Sequence, residues 1–161
     1  MKFDPVAICT ILNQEGVEYI VLGGFAAVIH GSPLPTEDID VLPSRTQLNL
    51  ENLARALRTM NAKIRTSGDP VEAPMDSAFL ENMTTMLNLV TDHGILYLTF
   101  QPAGPTVGFE QWDANASSEE ISEGLVIRVA SLNNIISSKE AAGREKDIGA
   151  LPYLRALRVQ S

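Results

Sequence analysis

The sequence predicts a small mixed α/β domain of the α+β kind, a sheet flanked by helices and followed by a C-terminal helical segment. Three observations predict it. Short β-rich apolar runs alternate with segments of helical period. No internal repeat, low-complexity tract or linker interrupts them. Apolar residues make up 45% of the chain against 20% charged, the composition of a chain that buries a core. At roughly 100–200 residues per domain, the 161 residues fit a single domain spanning 1–161.

The elements follow in order. Val6, Ile8, Ile11 and Leu12 repeat with a helical period after Asp4, a candidate N-cap, and Pro5, suited to the first helical position; Gly16 ends that helix. Tyr19 to Leu22 reads as a buried strand that Gly23 and Gly24 break. Phe25 to His30 suits one or two helical turns, closed by Gly31 and the loop Ser32 to Pro35. Thr36 to Leu42 alternates polar and apolar before Pro43, as a half-buried strand does, so Asp38 and Asp40 share one face.

Ser44 to about Met60 predicts a helix with Leu48, Leu53, Ala54 and Leu57 inward and Arg45, Arg55 and Arg58 in water. Ala62 to Thr66 suits a short strand, and residues 67–83 a loop with one turn of helix. Met86 to Val90 and Ile95 to Phe100 read as a hairpin turning at Thr91 to Gly94. A Pro/Gly loop (101–108), a short helix (107–116) and a strand (125–129) come next. Glu119, Glu120 and Glu123 fall on a solvent loop in this reading. The remainder is helical, first Leu132 to Ser137 and then Lys139 to Arg158, bent near Gly149 and Pro152.

Twenty acidic side chains against twelve basic ones leave a net charge of −8. This excludes a protein that coats nucleic acid, which needs Lys and Arg in excess on at least one face; any such contact must be local. A lone cysteine, Cys9, permits neither an internal disulfide nor a cysteine-based zinc site, and a reducing cytoplasm is the expected compartment. The start MKFDPVAIC lacks the pattern of a signal peptide, and no apolar run approaches the ~20 residues of a membrane span, so no membrane partner is expected.

The chemistry concentrates in Gly23–Gly24, the short helix after it, and Asp38-Ile39-Asp40. A glycine pair at a strand-to-helix junction lets backbone N–H groups approach an anion such as a triphosphate. Carboxylates at i and i+2 on a strand project to one side, about 7 Å apart. A hard cation such as Mg²⁺ can be shared between them and phosphate oxygens. Such a pair suits in-line phosphoryl transfer.

This pattern resembles the DNA polymerase beta-type nucleotidyltransferase superfamily, and within it small bacterial members related to the minimal and abortive-infection toxin nucleotidyltransferases. The segment Ser138 to Asp147, with Lys139, Arg144 and Lys146-Asp147, adds to the likeness. The resemblance implies Asp38 and Asp40 as catalytic metal ligands for Mg²⁺ or Mn²⁺. It implies Gly23 and Gly24 as the phosphate floor, with Lys139, Arg144 and Asp147 lining or bracing the nucleotide side. The implied activity is transfer of NMP from an NTP to an acceptor hydroxyl, with an RNA or protein acceptor and a cognate antitoxin or toxin as further partners.

Two departures stand out. Many relatives carry Ser where this chain has Gly24. The third carboxylate expected on a later strand falls, by eye, at Tyr97 within Leu96-Tyr97-Leu98. A phenol is neutral near pH 7 and supplies neither a metal-binding carboxylate nor a base. Asp92, Asp76 and Glu72 are the nearest substitutes. The alternative is therefore a catalytically impaired member of the fold that binds a nucleotide or a partner, of the toxin–antitoxin type.

Blander readings stand beside these. The glycines also serve merely to end a strand, and the aspartates as a solvated strand face. Lys139, Arg144 and Lys146 equally suit an exposed helix face, with Glu140 and Arg144 as an i,i+4 pair. His30 reads as a helix C-terminal residue rather than a base, His93 as a solvated turn residue, and Cys9 as a small core hydrophobe. Arg45, Arg55, Arg58, Lys63 and Arg65 form the densest basic region of the first half, either an acceptor-docking surface or a solvated helix face.

Overall fold

The structure, a computed structural model, describes residues 2–160. Among the described residues, seven helices accompany one seven-stranded mixed sheet of order β3-β4-β5-β2-β1-β7-β6. The strands are β1 (Tyr19–Leu22), β2 (Asp38–Pro43), β3 (Lys63–Ile64), β4 (Met86–Thr91), β5 (Gly94–Thr99), β6 (Ser117–Ser122) and β7 (Leu125–Val129). The helices are α1 (Pro5–Gln14), α2 (Gly23–Ile29), α3 (Gln47–Thr59), α4 (Ser77–Glu81), α5 (Gly108–Asn115), α6 (Leu132–Ala142) and α7 (Glu145–Gln160). Among the described residues no helix is long and apolar enough to cross a membrane.

Local chemistry explains most boundaries. Asp4 caps α1 through its carboxylate, which accepts from Ala7 N at 3.0 Å, with Pro5 at the first position. The helix expected from Ser44 begins only at Gln47, because Thr46 is the N-cap and accepts from Asn49 N. Pro43 belongs to β2 rather than ending it: it pairs with Tyr19 of β1, while β5 pairs only with Asp38 to Val41, so the missing N–H costs no ladder bond on that side.

Three expectations are corrected. Gly23 and Gly24 are the first residues of α2, not a separate break. Glu119 and Glu120 lie in the edge strand β6, with Glu123 in its turn to β7. The run Ser117 to Ser122 has little β-propensity, and its pairing with β7 overrides that. Finally, α6 continues through Ser138 and Lys139 to Ala142, and the break falls at Gly143, whose φ of 64° closes the helix in the left-handed region. Gly149 and Pro152 lie inside α7.

The core gathers Ile20, Val21, Ile39, Val41, Leu96 and Leu98 from the central strands under Ile8 and Leu12 of α1 and Leu50, Leu53 and Leu57 of α3. Cys9 is fully buried there, and burial pushes its thiol up to about 11, as a packing residue requires. One polar group is set into this apolar layer. Asn49, 3% exposed, accepts from Glu18 N at 2.7 Å and donates to the Glu18 and Ser44 carbonyls at 3.0 and 2.7 Å. It ties the entries of β1 and α3 together.

Replacing Asn49 with Leu orphans the Glu18 N–H and the Ser44 carbonyl, since the Glu18 carbonyl keeps Ser44 N as a partner. Each orphan costs about 1–3 kcal/mol. Urea unfolding of Asn49→Leu should show a loss of about 2–4 kcal/mol through a lower midpoint at an unchanged slope.

Candidate active site

The antiparallel register of β1 and β2 sets Leu22 opposite Asp40, which brings the first residue of α2 against that carboxylate. Gly23 has φ +64°, and a Cβ there would stand 3.2 Å from Asp40 Cβ and 3.5 Å from its Oδ2. Glycine is favoured at this position by its left-handed conformation, and the close crossing of backbone and carboxylate adds to that preference. Gly24 faces Thr36, whose hydroxyl donates to the Asp38 carbonyl at 3.0 Å and holds the start of β2.

Asp38 and Asp40 share a strand face while Ile39 between them is buried. Thr99 of β5 donates to Asp40 Oδ1 at 2.5 Å, leaving Oδ2 to accept from a ligand. Burial pushes the Asp40 carboxyl up to about 7; Asp38 adds to the rise, while Thr99, Lys139 and Lys146 oppose it.

Across from this carboxylate stands the α6–α7 junction. Gly23, Asp40, Lys139, Arg144 and Asp147 all border one cavity of about 220 Å³, whose apolar wall includes Trp112 and Ile135. Asp147 is fully buried. It accepts from Arg144 Nε at 2.7 Å and Nη2 at 3.2 Å, from the Arg144 backbone N at 3.2 Å, and from Lys139 Nζ at 3.5 Å. Burial raises the Asp147 carboxyl, but these bonds and charges outweigh it and hold it below the ordinary carboxylate range. Asp147 is thus a brace that aims two cations. The expected Glu140–Arg144 pair does not form: α6 ends between the two, and Glu140 pairs instead with Arg155 at 2.9 Å.

Of the residues singled out from sequence, Asp38 and Gly24 flank this cavity rather than lining it. The parallel register of β2 and β5 sets Tyr97 directly opposite Asp40, so the slot beside the aspartate pair does hold a phenol. None of the three substitute acids reaches it. Asp92 binds Asn61 Nδ2 at the hairpin tip, beyond the Thr91–Gly94 pair and so more than ~10 Å along β5 from Tyr97. Asp76 caps α4, and Glu72 faces Lys63 at 3.9 Å. Among the described residues no group of three His, Cys, Asp or Glu side chains could hold a metal ion.

The basic residues do not form one patch. Arg45 binds the Met83 and Glu81 carbonyls and covers the Phe100 ring, Arg58 binds the Met75 carbonyl, and Arg55 pairs with Glu15. Arg65 alone of the five reaches the strand face beside Asp40, donating to the Tyr97 hydroxyl, and both lie outside the cavity lining. The two histidines lie outside the cavity lining: His30 donates to the Ala130 carbonyl at 2.8 Å, and the His93 carbonyl accepts from Asp4 N. Sequence reasoning misses Thr99 and the Arg65–Tyr97 contact. Thr99 shares the face of Tyr97 by the period of two; Arg65 carries no local signal, because its partner lies two strands away.

No family model and no curated protein sequence matches the chain. Solved structures do. One is described as a nucleotidyltransferase of Thermotoga maritima, with TM-score 0.58 at 16% identity over 92% of this chain and 88% of that one. Another is the lincosamide antibiotic adenylyltransferase LnuA with lincomycin bound, with TM-score 0.65 at 14% identity over 98% and 99%. A third is the antibiotic-resistance factor ANT(2'')-Ia, with TM-score 0.52 at 14% identity over 95% and 86%.

Gly23→Ala forces a Cβ into the left-handed region against Asp40, and should lower stability by about 1–2 kcal/mol in denaturant unfolding. Asp147→Asn should cost about 2 kcal/mol at neutral pH, because Lys139 loses its buried counter-charge. The Asp147 carboxyl is lower in the folded chain, so its contribution is full above about pH 5 and fades as pH falls below about 4. Urea melts of both proteins across that range should therefore converge toward acid.

Proposed function

We propose, on the premise of a nucleotidyltransferase fold, that this chain binds a nucleoside triphosphate with Mg²⁺ and transfers its NMP to an acceptor with release of pyrophosphate. The observation that carries the reading is the single cavity in which Gly23 and Asp40 form one wall and Lys139 and Arg144 the other. One wall suits a cation, the other suits phosphate, and a metal-bound triphosphate offers both.

The donor set fits a divalent cation in the way Mg²⁺ is usually held, by one or two carboxylates together with substrate phosphate oxygens. Asp38 and Asp40 would hold it, with Mn²⁺ as the substitute the same oxygens accept. When bound, the ion supplies neutralisation of phosphate charge. The chain's residues do the rest. Thr99 orients the Asp40 carboxylate, and Asp147 keeps Lys139 and Arg144 aimed at the cavity while leaving Arg144 Nη1 free of that carboxylate. Gly23 admits Asp40 to the cavity floor.

The resemblance implies an acceptor hydroxyl on RNA or protein, and the lone cysteine suits a reducing cytoplasm. LnuA, solved with lincomycin, favours a small molecule as the class to try first. A second reading rests on Tyr97: with a phenol opposite Asp40, the chain binds a nucleotide without transferring it, as a partner protein of the toxin–antitoxin type would.

The test is incubation with α-labelled NTPs, Mg²⁺ or Mn²⁺, and a bacterial extract, alongside calorimetric titration of each NTP. Asp38→Asn and Asp40→Asn should each reduce labelling to background while the fold persists by circular dichroism. Tight nucleotide binding with no labelled product would replace the transfer reading with the binding one.

A further inference from the structure

Resting on the transfer reading, the surroundings of Tyr97 bear on the chemistry of the acceptor. β4 sets Asn88 opposite Tyr97, and Arg65, just past β3, is pinned beside it by its backbone N–H to the Asn88 carbonyl at 2.9 Å. The Arg65 side chain crosses β4, donates to the Tyr97 hydroxyl and sets its guanidinium carbon 5.9 Å from the ring centroid. Asn88 and Arg65 are exposed and Met86 is 43% exposed, so this face beside Asp38 and Asp40 is open.

The pair is made of donors. The Tyr97 oxygen accepts from Arg65 and keeps its own O–H to donate, while the remaining guanidinium N–H groups point to no carboxylate: among the described residues no ion pair includes Arg65. By contrast Lys63 faces Glu72, and Arg55 faces Glu15. Anions are what such a donor set binds best, in the fork geometry that guanidinium offers to carboxylate and phosphate.

The same face lacks a base. A neutral hydroxyl must lose its proton in the transition state, and a positioned general base contributes about a hundred- to ten-thousand-fold to that step. In the transfer reading Asp38 and Asp40 would be taken up by the cation; Asp147 is bound to Lys139 and Arg144, and neither histidine lines the cavity. An acceptor whose attacking oxygen is already ionised at neutral pH forgoes nothing. Carboxylates with pKa near 4 and phosphate monoesters near 6 qualify, by their ordinary values of about 4 and about 6.

We propose that Arg65 and Tyr97 form an acceptor subsite for an oxyanion, and that the nucleophile is a carboxylate or phosphate oxygen rather than a hydroxyl. The ionised oxygen forms a bond to the α-phosphorus and the bond from that phosphorus to the bridging oxygen breaks. The electron pair leaves with pyrophosphate, and no proton moves. The product is an acyl–phosphate mixed anhydride from a carboxylate, or a disubstituted pyrophosphate from a phosphate monoester.

The labelled product from α-labelled NTP, Mg²⁺ and bacterial extract reports the linkage whatever the acceptor is. Cleavage by neutral hydroxylamine marks a carboxylate acceptor. Cleavage by a pyrophosphatase that leaves a phosphodiester control intact, but not by hydroxylamine, marks a phosphate acceptor. Either supports the proposal; a linkage resistant to both is an ester on a hydroxyl and overturns it while leaving the transfer reading intact. No labelled product removes the transfer reading and the proposal together.

With the acceptor fraction so obtained, Arg65→Gln should raise the apparent KM for that fraction about tenfold or more and leave the KM for NTP unchanged. Rate should be flat from about pH 8 to 9.5, above the range in which Asp40 ionises, where deprotonation of a hydroxyl would make it climb. An unchanged acceptor KM in Arg65→Gln, or a rate that rises over that range, also overturns the subsite.

Discussion

The contact on which the site depends is the crossing of the Gly23 backbone with the Asp40 side chain. Pairing of β1 with β2 carries the chain past that carboxylate so closely that a Cβ would stand 3.2 Å from Asp40 Cβ, at a φ that favours glycine. Because the approach is so close, the sheet register and the placement of the carboxylate are one fact. A slip of one residue in β2 would turn both aspartates into the core and Ile39 and Val41 out of it, which the apolar layer under α1 and α3 forbids. The core therefore specifies the site.

The opposite wall is built by a different device. Asp147 is buried with two cations converging on it, an arrangement that contributes little net stability but specifies geometry, since a carboxylate removed from water must keep its partners. Gly143 lets the chain leave α6 and enter α7 within two residues, and this short junction brings Lys139 and Arg144 to the same carboxylate. One wall of the cavity is held by strand register and the other by an ion cluster, so the two have separate sensitivities to substitution and to acid.

Much of this is legible in the sequence, and particular residues show why. Asp4 and Pro5 announce α1, the period of two announces β2, and the spacing of Asp38 and Asp40 places them on one face, because these signals are local. Tyr97 can be located at its slot because a strand bearing apolar neighbours on both sides can seat it in only one way. Edge strand β6 is not legible: Ser117 to Ser122 carries little β-preference and is a strand because β7 offers it a ladder. Helix α3 starts three residues later than its pattern suggests, since Thr46 rather than Ser44 supplies the cap. The helical pattern divides at Ser138 and bends near Gly149 and Pro152, whereas the break falls at Gly143, which takes the left-handed conformation the turn needs.

Fold class, the carboxylate pair, the glycine beside it and the lack of an acid at Tyr97 are readable from the chain alone, because they are properties of neighbouring residues or of strand periodicity. Which distant groups serve them is set by three-dimensional packing. That Thr99 binds Asp40, that Asp147 braces Lys139 and Arg144, that Asp92, Asp76 and Glu72 lie elsewhere, and that Arg65 reaches Tyr97 across β4 all depend on strand order and helix placement. Those follow from how apolar surface is buried over the whole chain, a balance to which no single segment gives the answer.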